Sequence, residues 1–122
     1  MNRVQKGNNV ERTYRELLEL AAKAAGFDIE DDEFRGEVVF ADDGKRWAPL
    51  HDDGDALRLA HKLDISLSLV EGAQSVATGS AAGFLTEQGS DLAALRRAIV
   101  RAAAEIGSTM QDEQKVSEAT NE

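Results

Sequence analysis

Glu37-Val38-Val39-Phe40-Ala41-Asp42-Asp43-Gly44-Lys45-Arg46-Trp47-Ala48-Pro49 reads as a β-hairpin. Two strand-like runs, Glu37 to Ala41 and Lys45 to Ala48, flank Asp42-Asp43-Gly44. An Asp-Gly pair supplies the positive φ angles of a type I′ turn. With Asp43 and Gly44 as the turn residues, Asp42 pairs with Lys45 and Phe40 faces Trp47. That register makes one opposite-charge pair and one aromatic pair across the strands. Pro49 has no N–H to donate and ends the ladder.

Upstream of the hairpin, Thr13 and Glu16 have the spacing of a capping box, in which each side chain satisfies the other's free backbone N–H. Tyr14, Leu17, Leu18, Ala21 and Ala25 then fall on one helical face. Gly26 is a natural stop. Phe27 to Arg35 reads as an acidic connector, and residues 1–12 as a polar, flexible arm.

Downstream, Asp52 or Asp53 caps a second helix, with Asp55 also in its first turn near the positive end of the helix dipole. Ala56, Leu59, Ala60 and Leu63 form its apolar stripe, which Leu57 widens. The period then changes: Ile65, Leu67 and Leu69 alternate with Ser66 and Ser68, as in a half-buried strand. The Gly-, Ala- and Ser-rich stretch from Gly72 to Gly89 reads as two short strands around Ser75–Thr78 and Gly83–Glu87, with Gly79-Ser80 near the turn. A short helix over Ala73 to Ala82 is the alternative. Ser90 or Asp91 caps a last helix, whose stripe is Leu92, Leu95, Ile99, Ala102, Ala103 and Ile106. Gly107 is expected to stop it.

The order α-β-β-α-β-β-β-α predicts an α+β protein, with a small, largely antiparallel sheet packed against about three helices. Residues 13–107 form the single domain, and residues 108–122 are expected to be a disordered acidic tail. One domain suits a chain of 122 residues. Aromatic residues are 5% of the chain, so the core must be built from Leu, Ala, Val and Ile.

The chain contains no cysteine, which excludes disulfides and thiolate metal sites. The polar N-terminus lacks the apolar region of a signal peptide, and no apolar run approaches the roughly 20 residues of a membrane helix. A cytoplasmic location is expected, with no membrane partner.

The formal net charge is −9, and it is unevenly placed. Residues 28–55 hold eleven acidic and three basic side chains, a net of −8. That sign disfavours direct binding to nucleic acid and favours a basic protein partner. Asp28, Glu30, Asp31, Asp32 and Glu33, with Asp42, Asp43, Asp52, Asp53 and Asp55, are the candidate residues of one negative, partner-binding face. The competing reading is a set of solvated loops that keep the protein soluble. Arg96, Arg97 and Arg101 make a basic patch on the last helix, read as an exposed face or an internal partner for the acids.

Enzyme signatures are missing. No phosphate-binding loop, Gly-x-Ser-x-Gly or His-Glu-x-x-His occurs. Asp52-Asp53-Gly54-Asp55 faintly resembles a calcium loop, but the twelfth position counted from Asp52 is Leu63, which cannot ligate. His51 lies beside these carboxylates, but without the spacing of a zinc or catalytic site. No catalytic residue, metal or cofactor is therefore expected. Two alternatives stay open. One is self-association as a homodimer through Phe40 and Trp47 on an exposed hairpin edge. The other is a metal-dependent protein using His51 and the nearby carboxylates.

Three segments carry a resemblance. Tyr14-Arg15-Glu16-Leu17-Leu18-Glu19-Leu20-Ala21-Ala22-Lys23-Ala24-Ala25-Gly26 looks like the opening of small uncharacterised proteins encoded by tailed bacteriophages and prophages. Trp47-Ala48-Pro49-Leu50-His51-Asp52-Asp53-Gly54-Asp55-Ala56-Leu57-Arg58-Leu59-Ala60 is similar to their "W-x-P-L-x-D-D-G-D-A-L-R-L-A" segment, the most specific of the three. The run from Arg96 to Gly107 resembles their closing helix. The resemblance implies a phage or prophage accessory protein acting in the bacterial cytoplasm, and the charge map fits one that is non-enzymatic and binds a host or phage protein. It carries over no site residues.

Overall fold

The computed structural model describes residues 12–70, 74–79, 83–88 and 91–120, with side chains described over 12–67 and 91–113. The protein is α+β. Its elements are α1 (Tyr14–Ala25), β1 (Ile29–Asp32), β2 (Glu37–Phe40), α2 (Asp53–Lys62), β3 (Ser66–Val70), β4 (Gln74–Gly79), β5 (Gly83–Gln88) and α3 (Leu92–Thr120). The strands divide between two antiparallel sheets, β1-β2 and β3-β4-β5. Residues 1–11 of the expected arm lie outside the described residues, as do 80–82 at the expected Gly79-Ser80 turn.

Local chemistry sets the helix ends. The Glu16 N–H donates to Thr13 Oγ1 at 3.1 Å and the Thr13 N–H donates to Glu16 Oε1 at 2.9 Å, completing the capping box. At the other end Gly26 takes φ +78°, with its N–H on the Lys23 carbonyl and the Phe27 N–H on the Ala22 carbonyl. This is a Schellman stop, and it turns Phe27 back onto the core. Asp52 caps α2 by accepting from the Asp55 N–H at 2.8 Å, and Asp91 caps α3 by accepting from the Ala94 N–H at 3.0 Å.

The first hairpin is not the one expected. β2 pairs along its length with β1, in the stretch read as a connector, in the register Ile29↔Phe40 to Asp32↔Glu37. Asp32 builds the intervening turn, where its carboxylate accepts from the N–H groups of Phe34 and Arg35. The anticipated partner run meets β2 only through the Val39↔Arg46 bridge, with the Trp47 N–H on the Val38 carbonyl and the Phe40 N–H on the Lys45 carbonyl. Phe40 is therefore opposite Lys45 and diagonal to Trp47, two residues from the expected register. A type I′ turn needs two residues at positive φ, and only Gly44 takes one here, at +71°. Asp43 instead folds its carboxylate onto the Lys45 N–H at 2.9 Å, giving a wider loop. The slip is even, so both aromatic rings keep the same face.

The core is small-residue helix packing around one large aromatic. Ala21, Ala22 and Ala25 of α1 and Ala98, Ala102 and Ala103 of α3 join Trp47, Leu59, Ile65, Ile99 and Val100. α1 and α3 approach so closely that a Cβ on Gly107 would stand 2.0 Å from the Leu20 carbonyl oxygen. Gly107 was expected to end the last helix, with a disordered tail beyond it. The helix instead runs through Gly107 to Thr120, because the missing side chain serves interhelical contact rather than chain reversal.

Three expected core residues face outward. Tyr14 and Leu57 are 60% exposed and Leu92 is 53% exposed. Tyr14 and Leu92 occupy the opening turns of their helices, and Leu57 sits about 100° around α2 from Ala56. β3 to β5 form where the strands were expected, and α3 packs against β4 and β5. Among the described residues, no helix is long and apolar enough to cross a membrane.

Candidate functional site

The ten candidate acids separate into two groups. Asp52, Asp53 and Asp55 belong to a latch that joins the hairpin loop, α2 and α3. Asp55 Oδ2 accepts from the Ala48 N–H at 2.9 Å and Asp55 Oδ1 from Arg58 Nη2 at 2.7 Å. Arg58 Nη2 also lies 3.8 Å from Asp52 Oδ2, on the cap itself. Asp53 pairs with Arg96, whose Nε donates to the Leu50 carbonyl at 2.9 Å. Gly54 leaves the room for this arrangement, since a Cβ there would meet both Arg58 terminal nitrogens at 3.2 Å. Trp47 and Pro49 are buried in the core at the start of the same segment. The Trp-x-Pro-Leu-x-Asp-Asp-Gly-Asp segment is thus a structural unit, and its carboxylates are engaged by groups of the same chain.

The remaining acids follow the two-stranded sheet. Asp31 reaches back to α1, 3.1 Å from Arg15 Nη2. Asp32 holds its turn and lies 3.6 Å from Arg35 Nε. Asp43 is folded onto its own loop. Asp28, Glu30, Glu33 and Asp42 are exposed. The Ala41 N–H donates to the Asp28 carbonyl at 2.8 Å, which sets Asp28 and Asp42 at one end of the sheet. Glu33 lies in the turn at the other end, and Glu30 lies between them on β1 opposite Val39. β1 is an edge: among the described residues it pairs with β2 alone.

The inner face of this sheet carries Ile29, Val38 and Phe40 against the core. Phe27, Phe40 and Trp47 meet there, edge to face for Phe27–Phe40 at 5.3 Å between ring centroids and Phe27–Trp47 at 5.8 Å. Trp47 is 2% exposed and Phe40 is half-buried. The pair expected to form a seam between two chains is therefore part of the core of one.

Compared with known protein families, with curated proteins and with solved structures, the chain matches none.

His51 is exposed and lines a hollow of about 180 Å³ with Tyr14, Leu50, Arg96 and Arg97. Its charged neighbours there are guanidinium groups, a poor setting for a metal cation. No three metal-ligating side chains converge among the described residues. Arg96 of the basic patch is a cation of the latch beside Arg58, in line with the reading of that patch as an internal partner. Sequence reasoning missed Phe27 and Arg58. Phe27 directly follows the Gly26 stop, a position that commonly makes an apolar contact back to its helix. Arg58 is three residues after Asp55, within reach on a helix surface.

Proposed function

We propose that this chain is a non-enzymatic binding protein that takes a basic, extended segment of a host or phage protein along its acidic edge strand. The position of β1 carries the reading. It is an edge strand, its exposed Glu30 and Asp31 are flanked by exposed Asp28 and Glu33, and Asp42 stands beside its first residues. An open edge offers N–H and C=O groups in register for an added strand. Acidic side chains on that edge repel a second copy or another acidic chain, whereas a Lys- or Arg-rich segment turns the repulsion into attraction. Like charges already face each other at Asp32↔Glu37, each with a guanidinium 3.6 Å away, Arg35 and Arg46 respectively.

The resemblance to small proteins of tailed bacteriophages and prophages supports an accessory role in the bacterial cytoplasm. The test is a pull-down from bacterial lysate at low and high salt. Wild type is compared with a variant carrying Asp28→Asn, Glu30→Gln, Glu33→Gln and Asp42→Asn, which leaves the latch intact. A discrete protein held by wild type, released by salt and lost by the variant is the expected result. Retention indifferent to both salt and substitution removes the acidic-edge reading.

A further inference from the structure

A hollow of about 350 Å³ opens between the loop around Lys45 and α2. Phe27, Phe40 and Trp47 line it, and Lys45, Arg46 and Arg58 are its cations. Asp55 is the one acidic residue among the described residues that line it, in a chain whose net charge is −9. Both Asp55 oxygens are engaged, one by the Ala48 N–H and one by Arg58. The size falls within the roughly 300–1,000 Å³ of small-molecule pockets.

We propose that this hollow binds a small anion built on a flat ring, an aromatic group bearing a phosphate or a carboxylate. Phe27 and Phe40, both half-buried and packed against the buried Trp47, offer ring surface to a second ring through offset or edge-to-face contact. Arg58 is oriented by Asp52 and Asp55, and both contacts run through Nη2. A guanidinium has five N–H donors, so Arg58 is positioned without being used up. Lys45 and Arg46 stand on the rim, and Arg46 is only loosely tied to Glu37 at 3.6 Å. A neutral ring makes no charge-assisted contact with Lys45, Arg46 and Arg58, and a cation meets repulsion from all three. The ring and the anion together match the lining. None of the four acids substituted to test the acidic edge lines this hollow, so the two proposals are tested at different residues.

The test is ¹⁵N-detected NMR of the full chain titrated with adenosine monophosphate and, separately, 4-hydroxybenzoate. Adenosine and inorganic phosphate supply each half alone. Saturable shifts confined to Phe27, Phe40, Lys45 to Trp47 and Arg58 are expected with at least one ring-bearing anion, and weaker ones with either half. A response to the nucleotide alone assigns a phosphate ligand; a response to the benzoate alone assigns a carboxylate. Lys45→Gln and Arg46→Gln, both exposed substitutions, should each weaken binding by about tenfold. Three results overturn the proposal: no saturable shift at millimolar ligand, equal affinity for adenosine, or binding that both substitutions leave unchanged.

Discussion

Gly107 of α3 lies against the backbone of Leu20 in α1, so close that a Cβ would sit 2.0 Å from the Leu20 carbonyl oxygen and 2.7 Å from its carbonyl carbon. The obstacle is main chain, which cannot step aside as a side-chain tip can. Gly107→Ala should gain about 1 kcal/mol of helix propensity yet destabilise the protein by about 1–3 kcal/mol net, because the helices must part. Urea unfolding reads this as a lower midpoint. A raised midpoint would mean the two helices do not meet there.

Gly54 is the contrast. The atoms a Cβ would crowd are Arg58 nitrogens and Asp52 Oδ2, all on flexible side chains. Gly54→Ala should leave stability within about 1 kcal/mol of wild type, with the helix gain offsetting a shifted Arg58. A loss as large as that of Gly107→Ala would show the latch to be more rigid than its exposed position implies.

Asp55 and Asp53 should differ in the same assay. The Asp55 side chain is 14% exposed and accepts two hydrogen bonds, one from a backbone N–H. Asp55→Ala should cost about 1–3 kcal/mol. The Asp53 side chain is 60% exposed, and its ion pair with Arg96 is of the surface kind. Asp53→Asn should cost about 0.2–1 kcal/mol, less at high salt. A double-mutant cycle over Asp53 and Arg96 measures the pair itself, and strong coupling at high salt would contradict this ordering.

Trp47 is buried in the core, so its fluorescence should be blue-shifted and poorly quenched by iodide. Trp47→Ala should cost about 3–5 kcal/mol. Sedimentation at high concentration checks the other reading of this residue. A dimer dissociated by Trp47→Phe without loss of stability would return the indole to an interface.

The exposed acids should be energetically quiet. Neutralising Asp28, Glu30, Glu33 and Asp42 together removes like charge from one small sheet and should shift stability by no more than about 0.5 kcal/mol per site. A large loss in urea unfolding would mean these carboxylates support the sheet and are not available to a partner.

The sequence by itself determined the α+β class, the helix-capping residues and the strong charge of residues 28–55. These are local properties: a capping box, a glycine stop or an alternating run is complete within a few residues. What only the tertiary structure decided depends on neighbours far along the chain. β2 takes β1 as its partner because pairing is a competition between strands, and Asp32 closes that turn while Asp43 widens the other. Gly107 continues a helix because Leu20 is there, a fact no window around Gly107 contains. Asp52, Asp53 and Asp55 look like surface charge in the sequence and become a latch once Ala48, Arg58 and Arg96 are brought to them. Charge is written residue by residue, but whether a carboxylate meets solvent or a guanidinium is settled only by packing.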